Sequence, residues 1–119
     1  MKYYLEIIDN EHYLNPYEIA CLYGVLSKQN KGHSRFVARL LTEHCDQNNI
    51  QEKYYYETKQ GMMRVYPSSI YKQVMDNLII NNSKHIELTM TFDNKNHYFV
   101  LDKTIEEVNN RRQFYTGQQ

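Results

Sequence analysis

PSSIYKQVMDNLII, residues 67–80, followed after a short polar link by HIELTMTFDNKNHYFVLD, residues 85–102, is the stretch whose reading decides the fold. In its first part Ile70, Tyr71, Val74, Met75, Leu78 and Ile79 recur at helical spacing, and Lys72, Gln73, Asp76 and Asn77 fall on the opposite face. Pro67-Ser68-Ser69 opens this helix, which is predicted to reach about Ile80. In its second part Ile86, Leu88, Met90 and Phe92 alternate with His85, Glu87, Thr89 and Thr91, the period of a strand with one face buried and one wet. Asp93 to Asn96 is predicted to turn the chain, because Asp and Asn tolerate left-handed backbone. His97–Asp102 then returns as the antiparallel partner. A one-faced helix followed by a one-faced hairpin specifies an α+β domain.

Working outward, Glu52–Thr58 and Met62–Tyr66 are predicted to pair around Lys59-Gln60-Gly61, although the first half also fits an extended helix. Upstream, Phe36, Val37, Leu40, Leu41 and Cys45 mark the apolar face of a helix capped by Ser34 and running to about Asn48, with Arg35, Arg39, Thr42 and Glu43 on its wet side. Asn15-Pro16 starts an earlier helix, predicted to continue to about Lys28, in which Ala20 and Gly24 leave room for a neighbour. The polar break Lys28–Gly32 favours an antiparallel helical hairpin. Lys2–Asp9 is apolar on both faces and reads as a covered strand, Asn10–Leu14 as a loop. Beyond the firm hairpin, Thr104 and Glu107 form a capping box for a final helix to about Gln113, after which Phe114, Tyr115 and the Thr-Gly-Gln-Gln tail are expected to fray.

The chain of 119 residues is long enough for one core, so residues 1–119 are expected to form a single α+β domain. Mean hydropathy is low, but twelve Tyr and four Phe supply the large burials that disordered chains lack. Fourteen basic residues balance fourteen acidic ones, which excludes a uniformly basic nucleic-acid binder and leaves only local charge segregation. Cys21 and Cys45 are too few for a disulfide framework. The N-terminal segment has no signal-type apolar run and no stretch approaches a membrane span, so the cytoplasm is the expected compartment. The Asn, Gln and Lys richness accords with an AT-rich coding sequence such as a phage or mobile element. The five histidines show no ligand spacing and no catalytic motif is present, so no metal, cofactor or enzymatic activity is expected.

Three surfaces carry chemistry. Lys28, Lys31, Arg35 and Arg39 surround His33 with no acid between them, and Arg35 and Arg39 share a helical face suited to an anion. Tyr54, Tyr55 and Tyr56 alternate faces along a strand, so at least one ring meets solvent or a partner. Ser68, Ser69, Lys72 and Gln73 lie on the wet side of the 67–80 helix, just before the firm hairpin. That helix and hairpin resemble the recognition helix and wing of winged-helix DNA-binding domains. The resemblance implies that Ser68, Ser69, Lys72 and Gln73 point at base edges and phosphates, with Lys95 at the hairpin tip touching the backbone.

Ranked on sequence, the first reading is a non-enzymatic regulator or inhibitor that contacts another protein through Tyr54, Tyr55, Tyr56, Lys31, Arg35 and Arg39, a homodimer being compatible. The alternative is a winged-helix-like, DNA-binding transcriptional regulator. A second alternative is a small metal-free ribonuclease using His33, Arg35 and Arg39.

Overall fold

In this computed structural model residues 6–8, 11–82, 87–92 and 94–115 are described. The chain opens as a hairpin of β1 (Glu6–Ile8) and β2 (Glu11–Leu14), paired from Glu6–Tyr13 to Ile8–Glu11. Asn10–Leu14 was expected as a loop on its polar residues, yet its last four residues are strand. Tyr13 and Leu14 are both buried, and they pair with Pro67 and Tyr66 far along the chain. The expected N-terminal strand is present as Glu6–Ile8, and Lys2–Leu5 and Asp9 lie outside the described residues.

Asn15 starts α1 (Pro16–Tyr23) with a full capping box. Its side chain accepts the Glu18 N–H at 2.8 Å, and Glu18 accepts the Asn15 N–H at 3.0 Å. The helix does not reach Lys28. Gly24 stops it in the left-handed conformation, φ 67°, and Val25–Leu26 leaves as a short strand, β3. The link between the first two helices is therefore not a bare turn. His33 donates its N–H to the Val25 carbonyl at 2.9 Å, which closes the 27–32 loop over β3.

Helix α2 (Ser34–Gln47) is capped by His33 rather than by Ser34. Strands β4 (Tyr54–Thr58) and β5 (Gly61–Pro67) form the expected hairpin, with a tight Lys59-Gln60 turn made possible by Gly61 at φ 123°. Helix α3 (Ser68–Ile80) follows without a break. Strands β6 (Glu87–Phe92) and β7 (Lys95–Leu101) pair in register, Phe92 opposite Lys95, with Asn94 left-handed in a turn shorter than expected. His85, Ile86, Asp93 and the tail after Tyr115 lie outside the described residues. Thr104 and Glu107 make the predicted capping box of α4 (Ile105–Tyr115), at 2.9 and 3.2 Å, and the helix takes in Phe114 and Tyr115, two residues expected to fray.

The strands form two sheets, ordered β1-β2-β5-β4 and β3-β7-β6. Between them α1, α2 and α3 share one core. Ile19, Leu22 and Tyr23 of α1, Phe36, Val37 and Leu41 of α2, and Tyr71, Met75 and Leu78 of α3 are all buried, and Val108 of α4 joins them. Each such side chain contributes about 1.5–3 kcal/mol by leaving water. Leu14 and Tyr66 tie the first sheet to this core, and Phe99 and Leu101 tie the second. Phe36 and Phe99 stack with centroids 4.4 Å apart. The fold is thus the α+β domain expected, with two more strands than the sequence discloses.

Candidate nucleic-acid interface

Helix α3 turns Tyr71, Met75, Leu78 and Ile79 inward, and the same 3.6-residue period obliges Ser69, Lys72, Gln73 and Asn77 to stand exposed. With Ser68, Asp76 and Ile80 they line a shallow groove of about 650 Å³. Ile80 is 62% exposed at the far end. Among the described residues Asp76 is the one acid lining this groove. Its carboxylate accepts the Tyr23 hydroxyl at 2.9 Å, which draws it towards α1. Pro67 precedes the helix and offers no capping side chain, so the positive end of the helix dipole is uncapped there.

A second, smaller cleft of about 310 Å³ lies where the 28–35 segment meets β7, lined by Lys28, Gln29, His33, Arg35, Asn96, His97 and Tyr98. None of these is acidic. The Lys28 ammonium sits 4.4 Å from the centre of the Tyr98 ring, a cation–π contact that holds the flexible lysine in place. His33 caps α2 by accepting the Phe36 N–H on Nδ1 at 3.4 Å. Burial holds its proton affinity below the ordinary value, and the neighbouring His97 and Arg35 charges act in the same direction, against a hydrogen bond with the Tyr98 backbone. A neutral ring is what the cap requires, because a protonated Nδ1 cannot accept.

The cationic set expected from sequence is therefore divided. Arg35 lines the cleft with Lys28; Lys31 is exposed on the 27–32 loop, and Arg39 is exposed one turn further along α2 without lining the cleft. Asn96, His97 and Tyr98 complete the cleft from β7, and no spacing in the sequence marks them as contact residues. They reach the cleft only because β3 pairs with β7, joining Val25 to Leu101 and Leu26 to Val100. Lys95 stands at the hairpin tip as expected, opposite Phe92.

Tyr54, Tyr55 and Tyr56 line neither concavity. Tyr54 and Tyr56 are half-buried on one face of the β4–β5 hairpin, and Tyr54 packs its ring 4.9 Å from that of Tyr13. Tyr55 projects from the other face, opposite Arg64, and is 51% exposed. Met62, on that same face, is 64% exposed. Arg64 itself lies over the Tyr66 ring at 4.7 Å.

Among the described residues no three His, Cys, Asp or Glu side chains gather as a metal site, and Cys21 and Cys45 are both free thiols. No helix among them is long and apolar enough to cross a membrane. Comparison of the chain with protein-family models, with curated proteins and with solved structures matched it to none of them.

Proposed function

We propose that the chain is a DNA-binding module of regulatory type, acting in the cytoplasm without a cofactor, in which α3 enters the major groove and the β6–β7 hairpin lies against the adjoining backbone. One observation carries this reading: the strand order β3-β7-β6. A recognition helix needs its wing held at a fixed angle, and a free two-stranded hairpin is marginal in water. Here β3 leaves α1 and pairs with β7, so the hairpin that follows α3 is anchored to the helical core rather than hung from it. The exposed side of α3 then supplies the donors and acceptors that read base edges, chiefly Gln73 and Asn77, with Lys72 for phosphate.

Overall neutrality fits a small number of phosphate contacts. Lys72 on α3 and Lys28 and Arg35 in the cleft are cations available for this, and among the described residues Asp76 is the sole acid lining either concavity. The sequence ranks contact with another protein ahead of DNA; the anchored hairpin is the reason for placing DNA first.

Binding to a duplex library by fluorescence anisotropy across a salt series tests the proposal. Affinity should fall linearly on a logarithmic salt scale, by about 0.9 per phosphate neutralised. Lys72→Ala should weaken all duplexes alike and lower that slope by about one, whereas Gln73→Ala should relax preference at one base position by about tenfold or more. Affinity independent of salt rejects the DNA reading. RNA turnover by the wild type that disappears in His33→Ala would favour the ribonuclease instead.

A further inference from the structure

The first sheet ends on β4: among the described residues its single strand neighbour is β5. Its other edge presents the backbone of Tyr54–Thr58, and the strand carries no proline and pairs with β5 without a bulge. Such an edge is a template for another strand. The sequence across it, Glu52-Lys53-Tyr54-Tyr55-Tyr56-Glu57-Thr58-Lys59, decides which strand fits.

We infer that a second copy of this chain pairs there, β4 against β4 in antiparallel register about a two-fold axis through Tyr55. In that register Tyr55 faces Tyr55 of the other copy. Lys53 faces its Glu57, and Glu57 its Lys53, so two opposite-charge rungs flank the central aromatic pair. Tyr54 faces Tyr56 of the other copy on the opposite side of the sheet, and this happens twice. Because Tyr54 already packs on Tyr13, the aromatic row extends across the seam. Lys53, Tyr55 and Glu57 are all exposed, and neither Lys53 nor Glu57 forms an ion pair with another described residue. Directly opposed residues in antiparallel strands sit close enough for each rung to register energetically, aromatic and opposite-charge pairs favourably, like charges unfavourably.

Neighbouring registers fit worse. Moving the axis to Tyr56 sets Lys53 opposite Lys59 twice and leaves Tyr55 facing Glu57. Moving it to Tyr54 shortens the pairing and leaves Lys53 facing Tyr55. The charge pattern thus selects one register, and a two-fold pairing closes on itself rather than growing into a fibre. The inference stands on this strand edge alone and does not need the DNA reading.

Sedimentation velocity of the full chain over a wide concentration range tests it. The wild type should pass reversibly from a 14.4 kDa monomer to a species of twice that mass. Glu57→Lys, or Lys53→Glu, converts both charged rungs to like-charge pairs at once and should weaken the dimer about tenfold or more, with unchanged circular dichroism. The double exchange Lys53→Glu with Glu57→Lys restores both rungs and should restore the dimer. A chain that stays monomeric throughout, one that grows without limit, a dimer indifferent to either single change, or a double exchange that fails to rescue would each overturn the pairing.

Discussion

His33 does two things with one ring. Its Nδ1 accepts the Phe36 N–H and so starts α2, and its edge lines the cationic cleft beside Arg35 and His97. Burial, the larger cause, and those two charges hold its folded proton affinity below the ordinary 6.5. In the unfolded chain the same ring takes up its proton at the ordinary value. As pH falls below about 6.5, the unfolded state therefore binds the proton first, and stability present above that pH is lost progressively towards the folded value. His33→Asn keeps a good capping acceptor and removes the titrating group. The melting temperature of the variant should accordingly fall less than that of the wild type on going from neutral pH to about 5. Equal falls in the two proteins would show that other groups set the acid limit.

Among the elements, β3 has consequences out of proportion to its two residues, and Gly24 makes it possible. At φ 67° Gly24 ends α1, accepts the Asp102 N–H on its carbonyl at 2.8 Å, and aims Val25 at Leu101. A Cβ there would be strained by the backbone conformation and would press on the Lys103 side chain. Gly24→Ala should cost about 1–2 kcal/mol, read as a lower midpoint in urea unfolding with an unchanged slope. An unaltered midpoint would mean that the turn relaxes without cost.

The same element marks the limit of what the sequence discloses. Helices α2 and α3 and the hairpin β6–β7 are legible because each repeats a period long enough to detect. Hairpin β4–β5 shows no such period and is signalled only by the Lys59-Gln60-Gly61 turn, which leaves its first half equally compatible with a helix. Val25–Leu26 is too short to show a period, and its apolar residues simply prolong the helical stripe of α1. Strand β2 is hidden differently, since Glu11 and His12 read as loop and the burial of Tyr13 and Leu14 depends on β5, far away in sequence. The site divides in the same way. Lys72 and Gln73 are legible, because helical spacing dictates which face is wet. The cleft is not, because Lys28 and Tyr98 meet only through the β3–β7 pairing.

For the whole molecule the question is how a second sheet becomes one body with three helices. The clearest link is the stack of Phe36 on Phe99, both almost wholly buried, at 4.4 Å and nearly parallel. Tyr23 and Tyr71, edge to face at 6.4 Å, join α1 to α3 on the other side of that core. The Tyr23 hydroxyl then fixes Asp76 at the border of the α3 groove, so one aromatic core orients both the groove and the hairpin. Truncating Phe99 to Ala removes about 3–5 kcal/mol, a large share of the whole stability of a domain this size, and would confound binding with unfolding. Phe99→Leu keeps an apolar filling and loses the stack, at an expected cost of about 1–2 kcal/mol. Its effect should be local: amide hydrogen exchange should quicken in β7 and β3 while β4 and β5 keep their protection. Duplex affinity should fall as well, although Lys72 and Gln73 are untouched, because the hairpin no longer holds its angle to α3. Uniform loss of protection across both sheets would instead make Phe99 an ordinary core residue, and the hairpin's orientation would then depend on β3 alone.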